Sequence, residues 1–125
     1  MYNAAALLYP DALATSVTLP MEILQAASQL ARSRSRASPQ VKFRLAGPDR
    51  RMIGLFGGIT VKPDLQYDEL LDCDLLILPA IWRSPRASIK RLGPWLPRLQ
   101  ELAAGGTRVC SVGTASCLLA EAGLI

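Results

Sequence analysis

Residues Thr107 to Ala120 constrain the fold more than any other stretch of the chain. The apolar run Val109-Cys110-Ser111-Val112 stops at Gly113, and helix-forming residues begin at once with Thr114-Ala115-Ser116-Cys117-Leu118-Leu119. A strand that feeds a helix through so short a turn has the layout of a nucleophile elbow, where a strained turn residue points into a pocket. The turn residue here is Gly113, which has no side chain. The sequence therefore predicts the geometry of an active site without its chemistry, and points to a domain that binds rather than reacts.

The rest of the chain alternates strands with helices. Ala4 to Tyr9 reads as a buried strand ended by Pro10-Asp11. A helix follows over Ser16 to Arg32, with Ile23, Ala27, Leu30 and Ala31 on one apolar stripe and Pro20 acceptable only in the first turn. Val41 to Ala46 alternates apolar and charged residues as a half-exposed strand does. Met52 to Val61, with Gly57-Gly58 inside, reads as a hairpin or an irregular pair of short strands, and Tyr67 to Leu71 as a short helical turn. Leu75-Leu76-Ile77-Leu78 is a continuous apolar run, the mark of a strand buried on both faces of a parallel sheet, and Pro79 stops it. A helix beginning at Ile89 or Gly93 runs to Ala104, with Leu92, Trp95, Leu99 and Leu102 inward and Gly105-Gly106 closing it. This order predicts an α/β fold: a flavodoxin-like parallel sheet with helices on both faces. A doubly wound sheet would continue past Ile125, so the chain is expected to be a truncated domain.

With 125 residues, half of them hydrophobic, and a mean hydropathy of +0.24, the chain can bury one real core and is not disordered. No apolar run is long enough for a membrane helix, and Met1-Tyr2-Asn3-Ala4 carries no signal-peptide character. Cys73, Cys110 and Cys117 are odd in number and sit in apolar contexts, so they read as buried free thiols in a cytoplasmic protein. There is no histidine, which excludes a Ser-His, Cys-His or zinc-His site within these residues. No metal or cofactor is expected. Much of the +4 net charge lies in Arg32, Arg34 and Arg36. These arginines read either as phosphate contacts or as cations offsetting the negative end of a helix, worth about 0.3–1 kcal/mol each. Without interleaved aromatics the second reading is the simpler.

Several segments, in order, carry a resemblance: Leu7-Leu8-Tyr9-Pro10, Leu19-Pro20-Met21-Glu22-Ile23-Leu24, Leu45-Ala46-Gly47-Pro48, and Gly58-Ile59-Thr60-Val61-Lys62-Pro63-Asp64. Asp74-Leu75-Leu76-Ile77-Leu78-Pro79-Ala80-Ile81-Trp82 and Cys110 to Leu124 continue it. Together they resemble the class I glutamine amidotransferase-like superfamily, the fold of PfpI-type intracellular proteases. They are more closely similar to the N-terminal sensor domain of AraC/XylS-family transcriptional regulators.

Departures from that pattern bear on function. Catalytic members place a cysteine at the elbow, and the matching position is Gly113. An acidic residue that supports the thiolate matches Ser16, six residues after Pro10; Asp11 and Glu22 are offset by spacing. A competing alignment makes Cys110 the elbow cysteine, which would imply a PfpI-like cysteine hydrolase, amidase or deglycase. The leading expectation is a non-catalytic, ligand-sensing and self-associating domain that responds to a small-molecule effector. DNA would be bound only through a helix-turn-helix domain not in this chain. The expected pocket lies at the C-terminal strand edge, lined by Ser16, Pro79, Ala80, Trp82, Gly113 and Thr114, with backbone N–H groups at Gly113 and Thr114 facing a polar ligand group. Trp82 reads equally as pocket wall or as packing under its loop. Phe56 reads as pocket or core, with core the leading reading, and Trp95 reads as core.

Overall fold

Small apolar side chains put β1 (Tyr2–Leu7) at the centre of the sheet: Ala4, Ala5 and Ala6 are fully buried, and both faces can be covered closely. The computed structural model describes Met1 to Ile125 throughout. After β1 come α1 (Thr15–Arg34), β2 (Val41–Gly47), the hairpin β3 (Ile53–Gly54) and β4 (Thr60–Val61), and β5 (Leu65–Gln66). A 3-10 turn at Tyr67–Glu69 leads to β6 (Leu75–Leu78), α2 (Arg86–Leu92), α3 (Leu96–Ala104), β7 (Arg108–Ser111) and α4 (Ser116–Glu121).

Five strands form one parallel sheet in the order β5-β2-β1-β6-β7. Leaving aside the two-residue β5, the order is that of flavodoxin-like winding, with the reversal of strand order between β1 and β6. Ala5 lies opposite Arg44 on one side and Leu76 on the other, and Leu78 lies opposite Ser111. The crossovers β1-to-β2 and β6-to-β7 step in opposite directions across the sheet. Right-handed connection then places α1 on one face and α2–α3 on the other. The core joins the central strands to Val17, Leu92, Trp95, Leu99, Leu102, Leu118 and Leu119.

Three local expectations shift. The apolar stripe of α1 does not face the core: Ile23 and Leu30 are exposed, while Ser16, Val17 and Ser28 are buried. The inward serines are retained because each finds a backbone partner, described below. Pro20 stands in the second turn of α1, not the first. The helix before β7 is two helices, α2 and α3, joined by a 3-10 turn at Gly93–Trp95, because Pro94 and Pro97 bring no N–H to a continuous ladder. Trp95 is core, as expected, and Gly57 and Gly58, with φ of 91° and 85°, turn the hairpin. No helix is long and apolar enough to cross a membrane.

Candidate functional site

The C-terminal ends of β1, β6 and β7 converge, and the loops leaving them are laced together by hydrogen bonds. Val112 N–H donates to Leu78 carbonyl at 3.0 Å, extending the β6–β7 pairing past the strands. Leu13 N–H donates to Ala80 carbonyl and Trp82 N–H to Asp11 carbonyl, both at 2.8 Å, so the loop after β1 runs along the loop after β6. Phe56 N–H donates to Ala12 carbonyl at 3.0 Å and brings the tip of the β3–β4 hairpin to the same edge.

Ser16 sits at the start of α1, buried, and its hydroxyl is spent. Its Oγ accepts the Ala80 N–H at 2.9 Å and donates to Leu13 carbonyl at 2.7 Å. Two phenols lie deeper: Tyr9 donates to Pro79 carbonyl and Tyr67 to Leu8 carbonyl. Burial pushes both phenols well above their ordinary value of 10.0; the neighbouring Tyr67 adds to the shift at Tyr9. They are neutral donors that fix the carbonyls beneath the site.

The elbow itself is formed. Val112 is extended, Gly113 takes φ 53°, and a 3-10 turn at Gly113–Ala115 leads into α4. That φ is in the left-handed region, which glycine occupies without steric cost. A Cβ at Gly113 would lie 3.7 Å from the Ala80 Cβ, an ordinary contact. The N–H groups of Ala115 and Ser116 bond back to Val112, Gly113 and Thr114 carbonyls. The geometry of a helix start leaves the Gly113 and Thr114 N–H groups without partners inside the turn. With only six residues, α4 adds little dipole behind them.

Of the six residues expected to line a pocket, the structure brings all to this edge but in two layers. Ser16, Pro79 and Ala80 are buried beneath it, whereas Trp82, Gly113 and Thr114 form its exposed rim. None of the six lines any of the five cavities in the structure. Phe56 corrects the reading as core: it is 41% exposed and stacks on Trp82, 44% exposed, with ring centroids 4.5 Å apart. Asp11 and Arg83, beside this pair, hold φ of 68° and 65°, unusual for residues with a Cβ. The aromatic pair was not legible from sequence, because Phe56 and Trp82 meet only when the hairpin folds over the β6 loop. The thiols also depart from expectation, as Cys110 is exposed and Cys73 and Cys117 are half-buried, all free. Cys110 lies within β7 opposite Ile77, three residues before the elbow.

Comparison with known proteins agrees with this fold. No family model matches the chain, and no curated protein matches it. Solved structures do. A protein of Vibrio parahaemolyticus assigned as a transcriptional regulator superposes with a TM-score of 0.83 at 23% identity over 98% of this chain. An AraC family transcriptional regulator from Pseudomonas putida gives 0.75 at 22% over 99%. A ThiJ/PfpI family protein from Bacillus anthracis gives 0.75 at 26% over 99%.

This chain has the DJ-1/ThiJ/PfpI fold. It spans 62%, 62% and 57% of the three neighbours' lengths. In this chain Gly113 stands at the turn from β7 into the helical residues that follow, and the loops after β1 and β6 form its surroundings.

Proposed function

We propose that this chain is the effector-sensing part of an AraC-type transcriptional regulator and that it does not catalyse a reaction. One observation carries the reading: the elbow is built, with Gly113 at φ 53°, and presents no nucleophile. Ser16 is also unfit for acid or base work, since its hydroxyl is engaged by the Ala80 N–H and the Leu13 carbonyl. What the rim offers instead is two backbone donors beside the exposed Phe56–Trp82 pair, a combination that can hold a polar group and an apolar body together. The two regulator-named neighbours support placing this rim in a sensor. Self-association belongs to the same proposal, with a second copy covering the apolar stripe of α1.

The competing reading, a hydrolase using Cys110, has the exposure of that thiol in its favour. A thiol nucleophile needs access and a lowered pKa, and gains the latter from a nearby cation, a base or a helix start. Cys110 is held within a strand and donates or accepts no side-chain hydrogen bond. The test is a set of peptidase, amidase and glyoxalase assays on the wild type and Cys110→Ser, together with alkylation rates across pH. Background turnover and slow alkylation near neutrality are expected. Turnover abolished by Cys110→Ser would make the protein an enzyme and end the sensor proposal.

A further inference from the structure

A cavity lies at the opposite, N-terminal edge of the sheet. Between the second half of α1 and the start of β2 is a cavity of about 580 Å³, lined by Gln25, Ser28, Gln29, Arg32, Arg36 and Gln40 among others, with no carboxylate in its wall. Its volume is that of a small-molecule site, and seven of its eight lining residues have polar side chains.

Ser28 supplies the first reason to regard it as a site. It is 8% exposed, and its Oγ accepts the Val41 N–H at 3.0 Å. That bond uses an oxygen lone pair and leaves the hydroxyl proton without a protein acceptor, on the cavity wall. A buried hydroxyl proton of this kind is satisfied by ordered water or by an acceptor on a bound molecule.

The second reason is that the arginines are not needed to close the helix. Ser33 Oγ donates to Leu30 carbonyl at 2.6 Å, and the Ser35 N–H donates to Ala31 carbonyl at 2.9 Å. Arg32 donates to Ser38 carbonyl at 3.1 Å, pinning the loop that forms one wall. All three ion pairs of the protein lie elsewhere, so no carboxylate pairs with Arg32, Arg34 or Arg36. Guanidinium groups with amide and hydroxyl donors, and no acid among them, suit clustered anionic oxygens.

We infer that this cavity binds a small molecule carrying clustered oxyanions, with Ser28, Arg32 and Arg36 as its principal donors. The test is calorimetric titration of the protein with pyrophosphate and, separately, with citrate, alongside backbone amide shifts. Saturable binding of one ligand per chain is expected, with shifts centred on Ser28, Arg36 and Val41. Pyrophosphate alone would identify a phosphorylated ligand, citrate alone a polycarboxylate, and both a site that reads charge and shape only. Arg36→Gln, an exposed position, should weaken binding by about tenfold, the loss of one charge-assisted contact, while Arg36→Lys loses less. Ser28→Ala should weaken it too, and Lys62→Gln, outside the cavity wall, should not. Unchanged affinity in Arg36→Gln would overturn the inference, as would shifts spread equally over Arg50, Arg51 and Lys62. Binding of duplex DNA but of neither small anion would also overturn it, and would mark this face as a nucleic-acid surface.

Discussion

Thr114 closes a two-way hydrogen bond with Ile81: its Oγ1 accepts the Ile81 N–H at 2.9 Å and donates to the Ile81 carbonyl at 2.8 Å. One hydroxyl thereby satisfies both backbone groups of a buried residue and clips the elbow to the loop after β6. Thr114→Val keeps the shape and removes both bonds. A loss of about 1–3 kcal/mol is expected from denaturant unfolding, with Thr114→Ser keeping most of the wild-type stability. A loss as large in Thr114→Ser would show that the methyl group, not the hydroxyl, holds the loops.

Much of this was legible in the sequence for a plain reason. Continuous apolar runs such as Leu75–Leu78 bury both faces wherever they fall, and Gly113 stands where a strand meets a helix with no room for a longer turn. The orientation of α1 was not legible. Periodicity finds the stripe of Ile23 and Leu30 but cannot say that the sheet takes the other face, where Ser16 and Ser28 satisfy the Ala80 and Val41 N–H groups. Those bonds depend on loops distant in sequence. The same holds for Phe56 and Trp82, which stack only because Phe56 N–H reaches Ala12 carbonyl.

Alkaline pH should unfold the protein through Tyr9 and Tyr67. Below 10.0 both native and unfolded states keep these phenol protons, and their contribution to stability is complete. Above it the unfolded chain releases them while burial holds them in the native state. Stability therefore falls as pH rises towards the raised native values. Tyr67→Phe should flatten that decline while losing the bond to Leu8 carbonyl at neutral pH. Ultraviolet titration of tyrosinate checks it: Tyr9 and Tyr67 should ionise only with unfolding. Three phenols titrating together in a folded protein would contradict the placement of Tyr9 and Tyr67.

Self-association should depend on the outward stripe of α1. Leu19, Ile23 and Leu30 are 56%, 58% and 55% exposed and fall on one side of the helix, a patch that a second copy can cover. Ile23→Glu places a charge at its centre without touching the core. Sedimentation velocity should then show a smaller species than the wild type at equal concentration, with an unchanged circular dichroism spectrum. Identical sedimentation of the two proteins would remove α1 from any interface.

Gly113 joins the fold and the proposed function most directly, and two substitutions there separate the two. Gly113→Asn tolerates the left-handed φ of 53°, whereas Gly113→Val puts a branched Cβ into it, at an expected cost of about 1–2 kcal/mol. The new Cβ in either case meets only the Ala80 Cβ at 3.7 Å, so the strain lies in the backbone rather than in a clash. A thermal-shift screen of small amides, amines and carboxylates on the wild type should yield a stabilising ligand. Both variants carry side-chain atoms into the space above the Gly113 and Thr114 N–H groups, and both should lose that response. Trp82→Ala should weaken the response with little change in stability, since the ring is 44% exposed. The informative outcome is Gly113→Asn: a folded variant with wild-type melting behaviour and no ligand shift would place the effector on the elbow. A shift as large as that of the wild type would move the sensing site elsewhere on the molecule.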